Sequence, residues 1–203
     1  MKSKTNVYHI AHYTADKPTS LFFGGCNFSC KGCIRKLDVF DYHLKNTDKK
    51  SIVFLDSREI HDELKTWNLL PTNGFNIQSL NDVDEIDISI KACSDEICHT
   101  GKSNKRMLDN FMNVYGMNDK LRAETIPKYT DYQEIGKITR FISKVDPAIS
   151  LRTDGYVPVS GTPWRSPTQE ETDRAVDETR KHLENTSHRN GSISLKSEVM
   201  EIW

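Results

Sequence analysis

No run of apolar residues in this 203-residue chain approaches the length of a membrane span, about 18 residues. The opening stretch, MKSKTNVYHIAHY, carries no apolar core of a secretory signal. A cytoplasmic, reducing setting with no membrane partner is the expectation that follows. Neither sign of charge is in excess, since 28 Lys and Arg face 29 Asp and Glu. The net charge of -1 disfavours a broad electrostatic grip on nucleic acid, so no nucleic-acid partner is expected. Repeats of solenoid period and low-complexity segments are both missing, which excludes arrays and biased tracts. The chain is also short for a complete eight-unit α/β barrel, which needs about 250 residues. What remains is a polar but globular composition, 36% hydrophobic and 28% charged, enough for one domain with or without a tail.

Cysteine is scarce and odd in number. There are five, and three of them fall within eight residues, Cys26-Asn27-Phe28-Ser29-Cys30-Lys31-Gly32-Cys33. Without a secretory signal a disulfide scaffold is disfavoured. Three thiols on one short polar loop point instead to a shared metal centre, because thiolates are soft ligands suited to iron–sulfur clusters and zinc. A C-x₃-C-x₂-C loop can hold three corners of a [4Fe-4S] cubane and leave one iron open. Structural zinc is the competing reading. It wants four protein ligands, and His9, His12, His43 or the Cys93/Cys98 pair would have to supply the fourth at no recognisable zinc spacing. Cys93 and Cys98 are too few for a second cluster and read as buried thiols.

The rest of the chain alternates strand and helix patterns. Leu21 to Phe23 reads as a first strand and Leu69-Leu70 as part of another. Asp56-x-x-Glu59 with Ile60, Leu64 and Trp67 predicts a helix over 56–67. Ile86, Ile88 and Ile90 alternate, predicting a strand over 83–91. Met107, Leu108, Phe111, Met112 and Tyr115 predict a helix over 103–115, closed by Gly116. A strand over 121–126 and a helix from Asp131, with Ile135, Ile138, Ile142 and Val145 on one face, come next. A strand over 148–153 follows. Ser166-Pro167-x-Gln169 reads as a capped start of a last helix running to about Asn185. Repeated strand–helix units imply an α/β fold with parallel strands. The expected division is one domain over 1–185 and a tail or terminal strand over 186–203.

The stretch LFFGGCNFSCKGCI resembles the signature of the radical S-adenosylmethionine superfamily. The similarity is greatest to activating enzymes of glycyl-radical proteins. The resemblance implies a partial (βα)6-type TIM-like barrel, here with one βα unit missing. It implies that Cys26, Cys30 and Cys33 hold a [4Fe-4S] cluster whose open iron takes S-adenosylmethionine, which is cleaved to a 5′-deoxyadenosyl radical. Further segments follow in the family's order. Gly32 lies in the cysteine loop, and Thr72-Asn73-Gly74-Phe75 corresponds to the end of the third strand. Ile88-Ser89-Ile90-Lys91 matches the fourth, with Ser89 where the family often has an acid. Thr100-Gly101-Lys102-Ser103-Asn104 matches a T-G-x-S-N loop. Arg122-Ala123-Glu124-Thr125 and Leu151-Arg152-Thr153 match the last two strand ends. By resemblance, Gly32, Asn73, Lys91, Arg122, Glu124 and Arg152 contact the cofactor. The implied partners are S-adenosylmethionine, an electron donor such as ferredoxin or flavodoxin, and a glycyl-radical protein substrate. One departure stands out. No Gly-Gly-Glu segment occurs, although the family holds the cofactor's amino group with one, and only Gly24-Gly25 pairs glycines. Glu124 or Asp87 could replace that carboxylate. A non-catalytic member, binding cluster or cofactor without cleavage, is the alternative this opens.

Overall fold

The structure, a computed structural model, describes residues 7–13, 18–23, 28–33, 56–58, 67–75, 77, 85–94, 100–117, 121–126, 131–189 and 199–201. Cys26, Cys98 and the Gly24-Gly25 pair lie outside them. The strands are β1 (Val7–Tyr13), β2 (Pro18–Phe23), β3 (Asp56–Arg58), β4 (Trp67–Thr72), β5 (Glu85–Ser89), β6 (Leu121–Thr125), β7 (Ser150–Asp154), β8 (Thr186–Arg189) and β9 (Val199–Glu201). The helices are α1 (Lys105–Tyr115), α2 (Tyr132–Val145) and α3 (Gln169–Arg180).

One sheet runs in the order β8-β7-β6-β5-β4-β3-β2-β1-β9. The pairs β4/β5, β5/β6, β6/β7 and β7/β8 are parallel, and α1, α2 and α3 connect successive strands from β5 to β8. This is the α/β alternation the sequence predicts. The side chains explain it. Ile86, Ile88, Leu121, Ala123 and Leu151 point to one face of the sheet, where Met107, Phe111, Val114, Ile138 and Ile142 cover them. Ile86, Ile88 and Ile90 are fully buried, each contributing about 1.5–3 kcal/mol. The helical spacing of Ile135, Ile138 and Ile142 gives α2 one apolar stripe to set on that layer.

Three expectations are corrected. The predicted helix over 56–67 does not start at Asp56. Asp56–Arg58 is a strand, and Trp67 opens β4; residues 59–66 lie outside the described residues. The Asp-x-x-Glu spacing met the local rule for a cap. Backbone pairing to β2 on one side and β4 on the other outweighs a single capping interaction. The last helix is capped by Thr168 with Glu171, not by Ser166 with Gln169, and it ends at Arg180. Thr168 has the extended backbone an N-cap needs and accepts from the Glu171 N–H, while Arg165 pairs with the Glu171 carboxylate. β3 separates β2 from β4, so the strand at Leu21 to Phe23 does not pair directly with the one at Leu69-Leu70.

β3 is antiparallel to both of its neighbours. Two reversals restore direction, so β2 runs the same way as β4 to β8. The residues that follow β2, which include the cysteine loop, therefore leave the sheet at the edge where β4 to β7 also end. α/β sheets place their ligands at that edge.

Candidate functional site

The face of the sheet opposite the helices is polar. Strand alternation puts Glu85, Asp87 and Ser89 of β5, Arg122 and Glu124 of β6, and Arg152 and Asp154 of β7 on it. The register sets Ser89 beside Glu124 and Glu124 beside Arg152. Glu85 and Asp87 are nevertheless buried, at 4% and 5% exposure. Charges withdrawn from water need partners. Arg152 supplies most of them. Its guanidinium reaches Glu124 at 2.5 Å, both Asp154 oxygens at 2.9 and 3.0 Å, and Asp87 Oδ2 at 3.5 Å. Lys91 donates to the Ser89 hydroxyl, Ser89 is bonded to Glu124, and Arg122 pairs with Glu85.

Two carboxylates of this cluster titrate in opposite directions. Burial pushes the Glu124 carboxyl up, but Lys91 and Arg152, with hydrogen bonds from Ser89 and Arg152, outweigh it and hold its pKa below the ordinary value. Asp87 is raised from 3.8 to about 6, chiefly by burial and then by the Glu124 charge, with Arg152 only partly offsetting both. Its Oδ1 has no hydrogen-bond partner among the described residues. Because the folded value exceeds the ordinary one, the native state holds an extra proton between pH 3.8 and about 6, and this group costs stability as pH rises through that window. Asp87→Asn should abolish the fall and leave the protein more stable at pH 7 by up to about 3 kcal/mol. Urea midpoints at pH 4, 5, 6 and 7 measure this; parallel curves for variant and parent would show that Asp87 is not the source.

The cysteine loop sits at the carboxyl end of this sheet. Phe28 is buried, with its ring edge-on to Phe75 at 5.3 Å between centroids. The Ser29 N–H donates to the Thr100 carbonyl at 2.7 Å. A Cβ on Gly101, which has φ +76°, would come within 3.5 Å of Ser29 Cβ. Cys30 and Cys33 flank the turn at Lys31-Gly32, both thiols half-buried, with Lys31 exposed and Gly32 buried. Asn73 shapes the adjoining segment, its side-chain oxygen accepting from the Phe75 N–H at 3.0 Å. Gly74 (φ +68°) is tucked so tightly that a Cβ would lie 2.9 Å from Ile88 Cγ2. Asn110 of α1 ties down the Gly74 and Phe75 carbonyls at 2.8 and 3.1 Å. Three stretches far apart in sequence, 28–33, 73–75 and 100–101, thus meet at one place.

The residues singled out by the sequence fall into two groups. Lys91, Glu124 and Arg152 belong to the polar cluster. Gly32, Asn73, Cys30 and Cys33 belong to the loops at the sheet's carboxyl edge. Arg122 lies on the polar face but pairs with Glu85, its side chain about half exposed. Asp87 joins the polar cluster. Sequence reasoning left out Asp154, which the period of two from Arg152 would have found. It also gave Glu134 no role beyond the start of the helix that opens at Asp131. Asp131 does accept from the Glu134 N–H, but the buried Glu134 carboxylate takes the Cys93 and Ser94 N–H groups at 2.6 and 2.7 Å, and Lys137 at 2.9 Å. Burial raises that carboxyl, and the hydrogen bonds from Lys137, Ser94 and Cys93 bring it below its ordinary value. Glu134 so fixes the turn that follows Lys91. Trp164 packs edge-on against Tyr156 at 5.9 Å, with Val159 and Ile126, closing a small apolar cluster beyond the ends of β6 and β7.

The donor set suits the centre the cysteine spacing implies. Two soft thiols at i and i+3 share one turn at the sheet's carboxyl edge, and Cys26 precedes them on the same stretch of chain. The carboxylates and cations of the polar face answer one another. Among solved structures, a radical SAM methyltransferase from Sphaerobacter thermophilus is similar to this chain at 14% identity and a TM-score of 0.49. The match covers 63% of this chain and 41% of that one. No family profile matches the sequence, and no curated protein does. Among the described residues, no helix is long and apolar enough to cross a membrane.

Proposed function

We propose that the chain is a radical S-adenosylmethionine enzyme of the glycyl-radical activating type, its sheet curved into a partial barrel around the polar face. The observation that carries this reading is the meeting of the cysteine loop with Asn73-Gly74-Phe75 and Thr100-Gly101 at one edge of a parallel sheet. Cys26, Cys30 and Cys33 would hold a [4Fe-4S] cluster, with S-adenosylmethionine bound beside it. When bound, the cluster supplies the electron that cleaves the cofactor's sulfonium. The chain's own residues do the positioning. Asp87 and Glu124 offer carboxylates to the cofactor's ammonium group, in place of the absent Gly-Gly-Glu. Lys91 and Arg152 keep those carboxylates fixed and in the right charge state. Ser29 and Phe28 pin the cysteine loop against the neighbouring turns.

Anaerobic reconstitution with iron and sulfide should yield a brown protein with about four irons per chain. Dithionite and S-adenosylmethionine should then give 5′-deoxyadenosine, read by liquid chromatography. A brown protein that forms none would support the non-catalytic reading, which draws on β3 standing where the family places its Gly-Gly-Glu strand. A colourless protein containing zinc would refute both.

A further inference from the structure

Arg165, Arg174, Arg180 and Lys181, on and before α3, each face a glutamate or aspartate. Lys102 and Arg106 are answered differently. Each lies 4.9 Å from the centre of the Phe75 ring, so one ring gathers two cations against their mutual repulsion. Among the described residues no carboxylate forms an ion pair with either. The first turn of α1 holds Arg106 beside Lys105 and has no acidic residue, whereas Glu134, Glu170 and Glu171 occupy that turn of α2 and α3. Cations there oppose the helix dipole, and the positive end of that dipole adds to their field. In a chain of net charge -1, this is positive charge concentrated at one place and left without a neutralising acid.

The place is the flank of the cysteine loop. The Phe75 ring that gathers the cations packs edge-on against Phe28 at 5.3 Å. The Thr100 carbonyl, two residues before Lys102, accepts from the Ser29 N–H at 2.7 Å. Phe28 and Ser29 lie between Cys26 and Cys30 in the chain. Two short routes, one through a pair of rings and one along a single turn of backbone, thus join the cations to the chain that carries the thiols. Phe28 is 7% exposed, so the first route runs through apolar matter, where charge is screened little. We infer that Lys102 and Arg106, gathered by Phe75, raise the reduction potential of the iron–sulfur centre that the cysteines hold. This rests on the reading proposed above. Reduction adds one electron to the centre and moves no bond or proton. The reduced form carries the greater negative charge, so nearby positive charge favours it. The two residues act through space and through the ring, and neither is a ligand of the iron.

The full chain, reconstituted anaerobically, is titrated with dithionite in the presence of redox mediators and followed by visible bleaching, with no S-adenosylmethionine present. Dithionite supplies the electron. Lys102→Gln/Arg106→Gln should lower the midpoint. At the parent's midpoint, the ratio of reduced to oxidised centre should then fall about threefold to tenfold, tenfold being about 59 mV for one electron. Lys102→Arg/Arg106→Lys keeps both charges and should keep the parental midpoint. Arg174→Gln/Arg180→Gln removes two cations from α3 and should leave the midpoint unaltered. Lys102 and Arg106 are exposed, so the gap between parent and variant should shrink as salt rises from about 0.01 M to about 1 M and screening shortens from about 30 Å to about 3 Å. Iron per chain and circular dichroism should match the parent throughout. Loss of iron with an unmoved midpoint would show that the pair only braces the loop, and would overturn the inference. So would an unmoved midpoint with iron intact, or an equal fall in the α3 variant. The two readings fail separately: a midpoint that moves without dithionite-driven 5′-deoxyadenosine refutes the enzyme alone, and 5′-deoxyadenosine with an unmoved midpoint refutes the inference alone. A parent chain that holds no iron refutes both.

Discussion

Cys30→Ala is expected to leave a folded but colourless protein. The side chain is half-buried on a loop, and the helix-covered core of Ile86, Ile88, Phe111 and Ile138 lies elsewhere, so stability should change by no more than about 1 kcal/mol. Bound iron after anaerobic reconstitution should fall by more than about tenfold, since even indirect supports of a metal site cost that much when removed. The charge-transfer absorbance near the visible edge should disappear with it. Cys93→Ala is the matched control. Cys93 sits past β5, where its N–H serves the Glu134 carboxylate, and a backbone donor survives the change of side chain. If Cys30→Ala keeps its iron, the C-x₃-C-x₂-C loop is not the ligand set, and the function proposed here falls with it.

Arg152→Met should be the most damaging single change on the polar face. It leaves Asp87, Glu124 and Asp154 gathered with Lys91 close by. Removing one partner of a fully buried ion pair costs about 3–5 kcal/mol; here Asp87 is buried but Glu124 and Asp154 are 22% and 26% exposed, so water screens part of the loss and the cost falls below that range. Methionine keeps the volume of the stem, so most of that loss is electrostatic. The pH dependence separates the two contributions. With Arg152 gone, the carboxylates titrate at higher pH, so the deficit should be largest near pH 7.5 and shrink toward pH 5 as they take up protons. Urea midpoints at both values decide the matter; an equal deficit at each would assign the loss to packing.

The sequence revealed most where local pattern and tertiary demand agree. β5, β6, β7, α1 and α2 were legible from a period of two or 3.6, because each buries one regular stripe. The start of α3 was misread by two residues because Ser166 and Thr168 both open a plausible capping box, and only the Arg165 contact to Glu171 separates them. β3 was not legible at all. Three residues carry too little pattern, and what makes them a strand is the pair of backbones on either side. At the site, Lys91, Glu124 and Arg152 could be named from their order behind the cysteines. The burial of Glu134 could not, because a carboxylate held by two backbone N–H groups leaves the same trace in sequence as one at a helix start.

The two reversals about β3 have a topological consequence. Chain leaving β2 and chain entering β3 stand at the same rim of the sheet, so everything from 24 to 55 is tethered there at both ends. Lengthening or shortening that span would not require any strand to slide. Selection could therefore vary the length of that span almost independently of the scaffold, much as a door can be rehung without moving the wall.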